Sequence, residues 1–184
     1  YLNNKRDLAS CSIGQSILVT NLQMAMAYCS IANGGYLLKP KIIKKINDGN
    51  YVQSFDSPVI LHKSINSNTA KTLLSMLEQV TSNPDGTGLN TYMEYINIGG
   101  KTGTGEIWDN QKNEYSSEEF FSSFASIFPI DNPKYVMIVS IEAPIYEKRW
   151  GSQTAVPCTK RIIENIILYD KSLMESLNNI NEQT

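Results

Sequence analysis

Residues able to do chemistry gather most densely at Ile98-Gly99-Gly100-Lys101-Thr102-Gly103-Thr104-Gly105, where one cation stands among hydroxyls and glycines. A β-prone run, Tyr95-Ile96-Asn97-Ile98, leads into it. Glycine lacks a Cβ, so a ligand or a second backbone can approach closely. A strand built this way can lend its edge N–H and C=O groups to an extended substrate. Lys101 would supply a point charge for a carboxylate, and the Thr102 and Thr104 hydroxyls would add hydrogen bonds to it. The same residues also suit a glycine-rich turn with one solvated lysine, so the rest of the chain must decide.

Other chemistries lack their residues. The single histidine, His62, lies in a polar stretch with no ligand spacing around it, which disfavours a His-paired nucleophile or a His-rich metal centre. Cys11, Cys29 and Cys158 are isolated, which argues against a zinc site or a disulfide framework, and they read as buried thiols. A net charge of −2 offers nucleic acid no electrostatic footprint. With 184 residues, 41% of them apolar, the chain suits one globular domain. No run approaches the roughly 18 apolar residues of a membrane span. A start at Tyr1 without an initiator methionine leads us to expect a processed product or a fragment.

The elements that must position the glycine-rich strand are legible on both sides of it. Thr20 with Gln23 forms a capping box, and Leu22, Ala25, Met26, Cys29 and Ala32 make a helical stripe that Gly34-Gly35 ends. Residues 36–38 and 41–46 read as a short extended pair with a turn at Asp48-Gly49-Asn50. A second helix is expected over 68–80, then a turn at Asn83-Pro84-Asp85-Gly86-Thr87-Gly88. After the strand come a polar loop over 106–118 and strands over 120–128 and 135–141, joined by a Pro-rich turn and therefore antiparallel. A last helix starts near Ala155, tolerates Pro157 in its first turn, and turns Val156, Ile163, Ile166 and Ile167 inward. Beyond about Lys171 the composition becomes polar, and residues 173–184 are expected to fray. The fold class is α+β, an antiparallel sheet flanked by helices on at least one face.

Taken in order, these features resemble the C-terminal part of the transpeptidase domain of class B penicillin-binding proteins. Ser12-Ile13-Gly14-Gln15, Val19-Thr20, Leu22-Gln23 and Ala32-Asn33-Gly34-Gly35 resemble the helix ahead of that family's active-site strand. Gly86-Thr87-Gly88 resembles its glycine-rich turn, and Gly100-Lys101-Thr102-Gly103-Thr104 its third active-site motif. Asn132-Pro133 and Tyr135-Val136 resemble the following hairpin, and Gly151 with Ala155-Val156-Pro157 the entry to the last helix. The likeness covers residues 10–170, and residues 1–172 are assigned to that domain.

The resemblance implies a serine β-lactamase/transpeptidase-like fold and a serine D,D-transpeptidase that cross-links peptidoglycan stem peptides ending in D-Ala-D-Ala and is acylated by β-lactams. It implies Lys101 and the Thr104 N–H as catalytic groups, the latter as an oxyanion donor. Thr102, Gly103 and Thr104 would bind substrate. It implies no cofactor or metal, a site outside the cytoplasmic membrane with an N-terminal anchor, and partners from division or elongation machinery. The Val-Thr-x-Leu-Gln pattern leans toward division.

The departures are equally definite. No Ser-x-x-Lys occurs anywhere in the chain. Ser64-Ile65-Asn66 fits the family's Ser-x-Asn motif only in letters and reads as cap chemistry, while Ser176-Leu177-Asn178 is coincidental. The chain alone is therefore expected to be inactive. The family's sheet order of second, first, fifth, fourth, third strand would leave residues 135–141 as an apolar edge prone to self-association. Two other readings stay open: a serine β-lactamase, and a non-catalytic β-lactam sensor or interaction domain on the same fold.

Overall fold

The structure, a computed structural model, describes residues 5–15 and 17–181. A short helix α1 (Lys5–Ser12) precedes α2 (Asn21–Ala32). The expected capping box is formed: the Gln23 N–H donates to Thr20 Oγ1 at 3.2 Å, and the Thr20 N–H donates to Gln23 Oε1 at 2.8 Å. Gly34 and Gly35 leave the helix at φ +83° and +109°, the left-handed region in which glycine avoids a Cβ clash. The α2 stripe is less interior than its pattern suggests. Ala25, Met26, Cys29 and Ala32 are half-buried and Leu22 is 48% exposed, because α2 is apolar on most of its faces and meets the sheet along only part of them. All three cysteines are likewise half-buried rather than buried.

Residues 36–63 form a small exposed lobe. Its pairing differs from the expected one. β1 (Tyr36–Leu38) pairs with β4 (Ile60–Lys63), while β2 (Lys45–Asn47) pairs with β3 (Val52–Ser54) around Asp48 and Gly49. Asp48 Oδ1 accepts from the N–H groups of Asn50 and Tyr51, which closes that hairpin locally and leaves the preceding strand free for a more distant partner. His62 lies exposed on β4.

α3 (Ser67–Ser82) starts at Asn66, whose side chain accepts from the Thr69 N–H at 2.7 Å. Asn66 is thus a helix cap. The polypeptide then turns through Gly86 and Gly88 and enters the main sheet, β5 (Gly99–Asp109), β6 (Glu114–Phe128) and β7 (Tyr135–Glu142), in the order β5-β6-β7 and antiparallel throughout. The polar stretch expected as a loop over 106–118 is mostly strand, and only residues 110–113 turn. Trp108 and Tyr115 face each other across that extension in an edge-to-face pair 5.0 Å apart.

The sheet is covered on both faces. Gly100, Thr102, Thr104, Phe124, Phe128, Met137 and Val139 share one face by register. That face packs on α4 (Ala155–Tyr169) and α5 (Lys171–Asn181), with Ala155, Val156, Ile163, Ile167, Leu173 and Leu177 buried. On the other face, α3 brings Leu77 beside Gly99, and Asn21 of α2 lies 2.9 Å from the Ser140 hydroxyl of β7. Where fraying was expected, α5 extends to Asn181 and docks through Leu173 and Leu177, because two leucines four residues apart give a polar helix one apolar stripe. Residues 182–184 and the side chains of Ser176 and Asn178 lie outside the described residues.

Candidate active site

Among the described residues β5 pairs only with β6 and forms an edge of the sheet, so alternate residues direct their N–H and C=O groups away from β6. Its seating depends on absent side chains. A Cβ on Gly99 would fall 2.4 Å from Ile130 Cδ1, and one on Gly100 would fall 2.3 Å from Phe124 Cζ. These two glycines let the strand lie directly on the core, and the functional groups follow immediately.

Lys101 is exposed and donates from Nζ to the Thr102 carbonyl at 2.7 Å. Thr102 and Thr104 lie two residues apart on one face, opposite Phe124 and Ser122 of β6. Each hydroxyl is engaged from a different flanking segment. Thr102 Oγ1 lies 2.9 Å from Thr87 Oγ1, on the turn after α3. Thr104 Oγ1 accepts from the Gly151 N–H at 3.2 Å, so its own proton is available to a further acceptor. Gly103 lies between them, and a Cβ there would stand 2.6 Å from Ser123 Oγ. Gly151 in turn packs onto the backbones of Gly103 and Ser123, where its own Cβ would meet their carbonyl oxygens at 2.9 and 2.6 Å.

The segment carrying Gly151 is pinned next to the strand. The buried Ser122 hydroxyl donates to the Arg149 carbonyl. The Arg149 guanidinium lies 4.2 Å from the Tyr146 ring centre, 4.7 Å from Trp150 and 5.5 Å from Phe120. Lys101, Thr102, Gly103 and Thr104, all singled out from the sequence, are thus contiguous on one accessible edge. The partners Thr87, Gly151 and Arg149 were missed as site residues. The Gly-Thr-Gly turn was a visible signal, but nothing in the sequence states that it folds back onto the strand. Among the described residues, no group of three or more His, Cys, Asp or Glu side chains is arranged to hold a metal ion.

This arrangement can hold an anionic, extended ligand: backbone groups along the edge, two hydroxyls on one side, and a lysine beside them. Residues 2–164 match the family described as "Penicillin binding protein transpeptidase domain". The chain is 34% identical over 179 positions to a protein from Mesostigma viride named a peptidoglycan D,D-transpeptidase FtsI homolog, covering 89% of this chain and 29% of that protein. It is 31% identical to the peptidoglycan D,D-transpeptidase FtsI of Buchnera aphidicola, covering 88% and 27%. In three dimensions it is similar to the transpeptidase domain of penicillin-binding protein 3 from Burkholderia pseudomallei, with a TM-score of 0.73, 30% identity and 90% and 47% of the two chains covered. It is also similar to Mycobacterium tuberculosis penicillin-binding protein 3 complexed with ampicillin, with a TM-score of 0.76, 28% identity and 87% and 37% coverage. The chain spans less than a third of the length of those two curated relatives.

Proposed function

The chain belongs to the penicillin-binding protein transpeptidase family, and from that premise we propose that it is the strand-bearing part of a peptidoglycan D,D-transpeptidase. The observation that carries this reading is the paired edge strand on which Thr102 and Thr104 present hydroxyls side by side, each engaged by a neighbouring segment. In the reaction a serine Oγ bonds to the penultimate D-Ala carbonyl. Its proton passes to the departing D-Ala amine as the C–N bond breaks. An amine from a neighbouring stem then displaces the ester, forming the cross-link and returning the serine. Thr102 and Thr104 bind the terminal carboxylate, the Thr104 N–H donates to the oxyanion, and Gly103 lets the acyl chain lie flat on the strand. Lys101 supplies positive charge and joins the proton network. β-Lactams occupy the same edge.

No Ser-x-x-Lys lies within the 184 residues, so the nucleophile of this reading stands outside them. Loss of a nucleophile costs about 10⁶ in rate, whereas an oxyanion donor contributes about 10²–10³, so these residues alone do not acylate. No described helix is long and apolar enough to cross a membrane, and by this reading an anchor outside the chain holds the enzyme on the extracytoplasmic face, with division or elongation proteins as partners. Labelling with a fluorescent penicillin tests the proposal. A covalent band on the full-length protein and none on the 184 residues is expected. A band on the 184 residues would return Ser64 as a nucleophile, and no band on either would favour a non-catalytic relative.

The β7 edge carries a second part of the proposal. β7 pairs only with β6 among the described residues, and its side chains from Tyr135 to Ile141 are half-buried. An unpaired apolar edge templates further pairing, so the 184 residues self-associate in isolation. Light scattering over a wide concentration range should show oligomers, and a constant monomer mass would refute this.

A further inference from the structure

The hydroxyl next to Thr102 belongs to a turn with no assigned role. α3 ends at Ser82 with Asn83 as its cap, and the turn after it is tied down on two sides. The Gly86 N–H donates to Asn83 O at 2.8 Å and the Gly88 N–H donates to Val80 O at 2.9 Å. A Cβ on Gly86 would fall 2.3 Å from Val80 O, so the backbone passes where only glycine fits. Thr81, buried one turn earlier, reaches the carbonyls of Glu78 and Ile98 and so ties α3 to the residue that enters β5. Between these fixed points Thr87 is exposed, yet its Oγ1 is held 2.9 Å from Thr102 Oγ1.

A hydroxyl has one proton and two acceptor lone pairs. With no ligand, either threonine can donate to the other. With a carboxylate at the strand edge the choice disappears: Thr102 must give its proton to the carboxylate, so it must accept from Thr87. We propose that Thr87 is a positioning residue whose O–H donates to Thr102 Oγ1, turning the Thr102 proton outward and strengthening its bond to a ligand carboxylate. Chains of hydrogen bonds polarise one another in this way, and a bond to a charged acceptor is stronger than a neutral one. In this arrangement Thr87 acts on the ligand through Thr102. The inference rests on reading β5 as a carboxylate-binding edge.

The test is the second-order acylation rate of the full-length protein by benzylpenicillin, which carries a free carboxylate, and by benzylpenicillin methyl ester, which does not. Thr87→Val should slow acylation by the acid about tenfold while leaving the ester within about twofold, the upper end of what one neutral hydrogen bond in a polarised chain contributes. Thr87→Ser, which keeps the hydroxyl, should match wild type with both. In a Thr102→Val background, Thr87→Val should cause no further loss, since its effect passes through Thr102. Equal losses with acid and ester, failure of the serine variant, or an additive loss in the double variant would overturn the proposal and leave the transpeptidase reading intact. A wild-type protein acylated by neither compound would overturn that reading and this inference together.

Discussion

Gly100 and Gly105 lie five residues apart on one strand and answer to different constraints. A Cβ at Gly100 meets the Phe124 ring at 2.3 Å and the Ala125 carbonyl at 2.8 Å, whereas one at Gly105 meets nothing within 4 Å. Gly100→Ala should therefore destabilise the fold by about 1–3 kcal/mol through overpacking, and Gly105→Ala should stay within about 0.5 kcal/mol of wild type. Urea unfolding of the two variants side by side measures both. The strand itself was legible in the sequence because glycines, a lysine and two threonines follow a β-prone run, although that stretch alone also suited a glycine-rich turn and its neighbours in the chain had to decide. The partners of Thr102 and Thr104 were not legible. Thr87 and Gly151 approach from separate segments, and no local pattern encodes the folding of a turn onto a strand it precedes.

At the scale of elements, α5 is held by a cluster at its start. Asp170 accepts from Lys134 Nζ at 2.7 Å, from the Tyr135 hydroxyl, from the Ser172 hydroxyl at 2.7 Å and from the Leu173 N–H at 3.1 Å. The Lys134 ammonium first, then the Tyr135 and Ser172 hydroxyls, hold its carboxyl well below its ordinary value of 3.8. A carboxyl depressed on folding contributes stability that is complete above its unfolded value and lost as pH falls toward its folded one. The bond to Asp170 also raises the Tyr135 phenol above 10.0, so that contribution is lost as pH rises beyond its unfolded value. Hydrogen exchange of the α5 amides should accordingly speed up as pH is lowered from about 5, after correction for intrinsic rates, and Asp170→Asn should abolish that slope. An unchanged slope in the variant would remove Asp170 as its cause. The tail looked polar enough to fray because a stripe of two leucines is too short a pattern to read. The β5–β6 extension was hidden for a related reason. Most of its side chains on either face are exposed, so it shows no apolar alternation, and its pairing comes from backbone bonds and the Trp108–Tyr115 contact.

For the whole molecule, the sheet divides the chain in sequence as well as in space. α2 and α3 precede the strands and lie against one face, and α4 and α5 follow them and cover the other. The run of consecutive strand patterns between helix patterns made the fold class legible, while the coverage of the second face required the register. That order gives the two faces unequal histories. Chains emerge from the ribosome N-terminus first, and among the described residues β5, β6 and β7 pair only with their neighbours in the sequence, so these strands, α2 and α3 are all made before α4 and α5. Phe124 and Phe128, both fully enclosed in the finished fold, have no roof until α4 and α5 have been made. The interval between the synthesis of β7 and that of α5 is therefore the period in which this sheet most needs protection from its neighbours.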